Sequence, residues 1–180
     1  MKSQQATEQA ARTNASTAGD VSAILRENGW VADLPTVAEE WMRSAAELLG
    51  PQVENREGLA DLLRLVFDYD AASLLRATVN HSVLAREGAR EVVRELAHLV
   101  LEGGEIDSDR YKEIVTALEE KLPHRGRELF YPVRLALAGR AGEGELDRVI
   151  LLLDPAARLP FATPVKGTRQ RMLEFCSALD

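Results

Sequence analysis

Cysteine is almost missing from this sequence, with Cys176 the sole example in 180 residues. One thiol cannot close an internal disulfide, so the chain is expected to fold without covalent staples and to suit a reducing cytoplasm. Long apolar runs are missing too. The longest aliphatic stretch, Val149 to Leu153, is far too short to span a bilayer, and only Ser, Gln, Ala and Thr follow Lys2 where a signal sequence would be apolar. No membrane partner is expected. Positive charge is in deficit, with 22 Lys and Arg against 29 Asp and Glu for a net charge of -7, which excludes a general nucleic-acid glue. Any RNA contact must be local. With 46% apolar residues and 5% aromatics, the chain reads as one domain or two small lobes rather than a disordered segment.

The usual catalytic constellations are also missing. His81, His98 and His124 lie on separate segments, and none has a His or Cys partner at zinc-ligand spacing. There is no GxxxxGK[ST] phosphate loop and no GxGxxG after a strand; residues 139–144, GRAGEG, read as a plain turn. The carboxylate pairs Glu39-Glu40, Glu119-Glu120 and Asp107-Asp109 fall at helix ends or on solvated faces, where charge serves solubility and the helix dipole. No cofactor, metal or catalytic residue is expected.

What is present is helical periodicity. Residues 1–19, rich in Ala, Thr, Gln and Ser without an apolar pattern, read as a disordered leader. Asp20 is expected to cap a short helix carrying Val21, Ile24 and Leu25, and Thr36 with Glu39 to form a capping box before Trp41, Ala45 and Leu49. Leu59, Leu62, Leu63 and Val66 form a third stripe, and Asp70 is placed to cap a helix running on through Leu74, Leu75, Val79 and Val83. Val92, Val93, Leu96 and Val100 precede Gly103-Gly104, and Ser108 is expected to cap a helix with Tyr111, Ile114 and Leu118. The expected class is all-α, a helical bundle or cage of two small lobes, 20–104 and 105–180. Only Val133, Leu135 and Leu137 alternate in a way that would also suit a short strand, and Pro155, Pro160 and Pro164 mark an extended link before a last helix from Thr168.

The charge is uneven along the chain. Up to residue 120 there are 12 basic and 22 acidic residues; beyond it there are 10 and 7, so the C-terminal third is net positive. That third holds RGRELFYPVRLALAGRAGEGELDRVILLL at 125–153. Its Gly126, Leu129, Phe130, Pro132, Val133, Arg134, Ala136, Leu137, Gly139, Leu146, Val149, Ile150 and Leu153 resemble the signature near the C-terminus of bacterial glutamyl-tRNA synthetases, the class I aminoacyl-tRNA synthetases specific for glutamate. Arg56, Leu59, Leu62 and Phe67 look like an upstream helix of the same family. The resemblance implies an α-helical anticodon-binding domain without the catalytic domain, since that family's His-Ile-Gly-His and Lys-Met-Ser-Lys-Ser motifs are missing.

From the resemblance, Arg134 matches the arginine that contacts anticodon bases, and the loop from Arg140 to Leu146, with Glu143, matches the loop lining the base pockets. Arg125, Arg127 and Arg140 add positive charge, and Arg56 is a further RNA-binding position in the first lobe. An arginine suits unpaired bases because its guanidinium stacks and donates in plane. The structural alternative for Arg134 is a buried arginine paired with a carboxylate such as Glu128. The expected partner is tRNA, glutamate tRNA first, or another structured RNA. One departure stands out: Gly144, between Glu143 and Glu145, replaces the family's usual proline, and two carboxylates there repel phosphate. That favours a second reading, a helical protein-protein interaction module derived from such a domain. A third is the anticodon-binding piece of a split synthetase, joined by a separate catalytic subunit.

Overall fold

Thr17, not Asp20, caps the first helix. In the computed structural model, which describes residues 16–180, α1 spans Ala18–Glu27; the Thr17 hydroxyl accepts from the Asp20 backbone and the Asp20 carboxylate accepts from the Thr17 N–H at 2.7 Å. This reciprocal box satisfies two otherwise unpaired donors, and the bonds from Thr17 hold the Asp20 carboxyl below the usual carboxylate range. Residues 1–15 of the expected leader lie outside the described residues.

Three other helix starts, those at Arg56, Ala71 and Ser108, are also capped by an N-cap side chain, with some changes of capping residue. Thr36–Ala38 forms a 3-10 turn ahead of α2, Glu39–Leu49, so Thr36 is too far from that helix to cap it and the expected box does not form. Asn55 caps α3, Arg56–Phe67, and Asp70 caps α4, Ala71–Arg76, as the sequence implies. The run through Val83 is two helices, however. Ala77 is extended (ψ 121°), α5 begins again at Thr78–Leu84, and the Asn80 amide donates to the Leu74 carbonyl at 2.9 Å across the break, which leaves Val79 77% exposed. Helix α6, Ala89–Glu102, is followed by α7, Ser108–Lys121, which is capped by Asp107 rather than Ser108 through a 2.8 Å bond from the Arg110 N–H.

Three more helices complete the fold: α8, Arg127–Ala138; α9, Glu145–Ala157; and α10, Thr168–Leu179. The alternating Val133, Leu135 and Leu137 lie on a helix after all. Every residue of α8 from Pro132 to Ala138 is buried, because α5, α6, α9 and α10 surround it, and a helix covered on all sides loses its one-sided stripe. Pro155 is likewise inside α9 rather than in the extended link, which spans 158–167. Helix α9 packs on α2 and α3 as well as α8, so one buried cluster runs from Val21 to Phe175. The turn at 103–107, where the sequence places the lobe junction, joins α6 to α7. Four of the nine aromatics, Trp30, Trp41, Phe67 and Phe161, meet with ring centroids 4.7 to 6.1 Å apart, fixing α2, the end of α3 and the C-terminal link to one another.

Two buried polar side chains tie the last helix to the rest. Arg171 has no solvent exposure and donates to the carbonyls of Leu65, Val66, Leu137 and Lys166 at 2.7 to 3.0 Å, with its guanidinium 4.4 Å above the Tyr69 ring. Three of those carbonyls end α3 and α8, where helix dipoles place negative potential, so the cation closes two helices at once. Burial pulls its pKa down to about 10, and it stays charged at neutral pH. Asp154 on α9 accepts from Thr168 N–H and Ile106 N–H, both at 2.7 Å, and from the Thr168 hydroxyl. A carboxylate at the N-terminus of α10 complements that helix's positive end. Among the described residues no buried side-chain polar atom lacks a partner, and no helix is long and apolar enough to cross a membrane.

Candidate nucleic-acid interface

Helix α8 ends at Gly139, whose positive φ of 83° turns the chain out of the helix while its N–H still bonds the Leu135 carbonyl at 3.1 Å. The loop 140–144 then crosses to the first turn of α9. Arg134, one turn before the end of α8, holds that loop from beneath. Its Nε and Nη2 donate to the two oxygens of Asp147 at 2.8 and 2.9 Å, its Nη1 donates to the Gly142 carbonyl at 2.8 Å, and the Phe130 ring lies 4.7 Å away. The paired carboxylate is Asp147 on α9, not Glu128, which is exposed and faces His124 at 3.9 Å.

Asp147 is shared. The Tyr111 hydroxyl of α7 donates to its Oδ1 at 2.7 Å, so three helices converge on one carboxylate. Burial works against the charge on Arg134, whose side chain is 9% exposed, but the bidentate Asp147 contact outweighs it and raises the arginine's pKa. Burial first, and the neighbouring Asp147 charge second, push the Tyr111 hydroxyl up, so it remains a neutral donor. The result is a clamp of fixed geometry, since a planar fork matched to a carboxylate and stacked on a ring has little rotational freedom left.

The outer layer is looser. Arg127 Nη2 meets Glu143 Oε1 at 3.2 Å with both side chains mostly exposed, and the Tyr131 hydroxyl donates to the same oxygen at 2.7 Å. That hydrogen bond holds the Glu143 carboxyl below its usual range and pushes the Tyr131 hydroxyl up. Arg140 is exposed and has no ion-pair partner among the described residues. Leu146 is fully buried, directly under the loop, where a Cβ on Gly142 would approach it to 3.0 Å.

Not every residue singled out by sequence belongs here. Arg125 donates to the carbonyls of Glu119, Leu122 and His124 and so closes the end of α7 instead of facing the loop. Arg56 pairs at 2.7 Å with Glu27 of α1, an exposed contact with no partner in common with Arg134. Sequence reasoning missed Asp147, Tyr111 and Tyr131. Their pairing crosses a turn and a third helix, and no local spacing announces it. It also missed a pocket of about 370 Å³ lined by Asp147, Tyr111 and Gly144 together with Gln52, Lys112 and the exposed Arg148. Among the described residues no cluster of His, Cys, Asp and Glu could hold a metal ion.

Fold and site together define an all-helical module that presents one short, rigidly seated loop. The chain belongs to the anticodon-binding domain family: the match to that family covers residues 8–157. It is 31% identical over 119 residues to glutamate-tRNA ligase 2 of Syntrophus aciditrophicus, an alignment covering 63% of this chain and 23% of the relative. It is also 29% identical over 130 residues to glutamate-tRNA ligase of Bacillus licheniformis (72% and 26%), and 27% identical over 121 residues to that of Bacillus subtilis (67% and 24%). The chain therefore spans about a quarter of the length of these curated relatives. No solved structure matches it significantly.

Proposed function

We propose that this domain binds tRNA at the anticodon, with glutamate tRNA the preferred partner, and contributes recognition rather than catalysis. The observation that carries the reading is the Arg134 clamp, which lies inside the family-matched region and fixes the loop 140–144 against α9. Anticodon bases are single-stranded and splayed, so a reader needs preorganised edges and a few cations instead of a broad basic surface. Three of the five guanidinium N–H groups of Arg134 are engaged by Asp147 and Gly142. The side chain thus serves chiefly to hold the loop in one shape, while its remaining donors, Arg140 and Arg148 face the nucleic acid. This division agrees with a chain of net charge -7, in which affinity comes from local geometry.

The test is equilibrium binding of the full chain to glutamate tRNA and to a control tRNA over a range of salt. Tighter binding of glutamate tRNA, with affinity falling linearly on a log-log salt plot, is expected, as is a loss for Arg140→Ala and Arg148→Ala together. No binding at low salt, or equal affinity for both tRNAs, would overturn the reading. A second reading, docking on a protein such as a separate synthetase catalytic subunit, is favoured by one feature: the groove between α2 and α9 lined by Val37, Trp41, Leu48, Leu151 and Leu159, with Val37 65% exposed. Pull-down after nuclease treatment separates the two.

A further inference from the structure

Glu143 lays its carboxylate against the N-terminal half of α8. Its Oε1 takes one hydrogen bond from Tyr131 and one from Arg127, and these two donors sit four residues apart on α8, on the same exposed face. The Arg127 guanidinium lies 5.7 Å from the centre of the Tyr131 ring, so the pair forms a platform with a hydroxyl donor at its edge and a cation above it. A carboxylate oxygen and a phosphodiester oxygen make the same demands on such a platform: negative charge and two accepted hydrogen bonds. The loop brings its own anion there. Arg134, which also feels the Glu143 charge, sits beneath the same loop.

We infer that Arg127 and Tyr131 form a phosphate site whose ligand is a single phosphodiester of the bound RNA strand, and that Glu143 is a built-in competitor that must swing away before the site fills. The inference rests on the anticodon-binding reading above and adds to it a subsite and a brake. Glu143 and Arg127 are 60% and 70% exposed, so the competing ion pair is weak and opens readily by rotation of the Glu143 side chain, without any change in the loop backbone that Arg134 holds. The brake also explains how a loop with carboxylates at 143 and 145 can border an RNA site: one of them is neutralised by the very groups that the phosphate would use. Occupancy of this site is then governed by whichever anion wins at Arg127, and the chain's own anion has the advantage of being tethered.

Glu143→Gln keeps the side-chain shape and removes its charge, and Arg127→Ala removes the platform's cation. With tRNA as the probe, Glu143→Gln is expected to bind about three- to tenfold more tightly at low salt, and the salt slope to steepen by about 0.7 for one extra phosphate contact. Adding Arg127→Ala to Glu143→Gln is expected to abolish the gain. Unchanged or weaker binding by Glu143→Gln, or a gain that survives loss of Arg127, would overturn the inference. A separate readout covers the case in which no form binds tRNA: the Arg127 Nε–Hε resonance titrated with inorganic phosphate. A shift in Glu143→Gln that is absent or much smaller in the native chain supports the phosphate site even if the tRNA reading fails. No difference between the two overturns it.

Discussion

The two buried arginines among the described residues contrast a cation that ties helix ends together with one that seats a loop. Arg171 is enclosed by carbonyls from α3, α8 and the C-terminal link, has no exposure and touches no carboxylate. Arg134 is enclosed by a carboxylate and a loop carbonyl, with its outer edge next to solvent. Both obey the rule that buried charge must be satisfied, but by different means. Carbonyl solvation at helix ends locks α3, α8 and the C-terminal link to α10. A carboxylate pair under a loop fixes the loop's shape while leaving its other face open. On the proposed reading, function resides at the arginine that holds a connecting segment, through Gly142, as well as a helix, through Asp147.

Substitutions at Arg171 break the comparison most severely. Arg171→Met strips four carbonyls of their donor, and a loss of about 3–5 kcal/mol in urea unfolding is expected, with Arg171→Lys restoring only part because an ammonium cannot span both helix ends. Asp154→Ala, which frees the N–H groups of Thr168 and Ile106, is expected to cost about 2–4 kcal/mol in the same assay. Arg134→Ala should cost less stability, about 1–3 kcal/mol because water can reach Asp147, but should lose at least tenfold in tRNA affinity where Arg171→Lys loses little. Equal ratios of stability loss to affinity loss at the two arginines would erase the distinction.

Smaller effects sharpen it. Gly88 holds a φ of 85° with the His124 ring against it, and a Cβ there would meet that ring at 2.1 Å; Gly88→Ala is expected to destabilise by about 1–3 kcal/mol without changing tRNA affinity, as seen by thermal melting and anisotropy. The smallest change is with pH. The bond from Ser73 holds the Asp70 carboxyl below its usual 3.8, so its contribution is fully present above that value and is lost as pH falls through the lower folded value. A melt series from pH 5 downward should therefore show Asp70→Asn converging on the native chain only at the acid end.

Much of this fold is legible in the sequence, and the misreadings share a physical cause. Amphipathic stripes locate α1 to α3, α6 and α7 because each has one face in water, but run α4 and α5 together as one helix, and Asp70 caps α4 because capping is a local bargain between a side chain and the next turn. Helix α8 looks like a possible strand because neighbours bury it on all sides and erase the 3.6-residue signal. The break at Ala77 carries no Gly or Pro and is stabilised by Asn80, whose role depends on the fold. In the candidate site, Arg134 and the loop after Gly139 are singled out through resemblance, whereas Asp147, Tyr111 and the Glu143 contacts arise only when α7, α8 and α9 are brought together. Arg56 and Arg125 look equally basic in sequence, yet one pairs with Glu27 and the other closes α7.

The central claim is that RNA meets this molecule at the loop seated on Arg134. Backbone amide NMR of the isotopically labelled full chain, titrated with a glutamate tRNA anticodon stem-loop, tests it most directly. The account predicts shifts concentrated at residues 139–148 and on the exposed face of α8 around Arg127 and Tyr131, with the amides around Leu65, Val66 and Arg171 unmoved. Shifts confined to the groove between α2 and α9, or no shifts at saturating RNA and low salt, would contradict it.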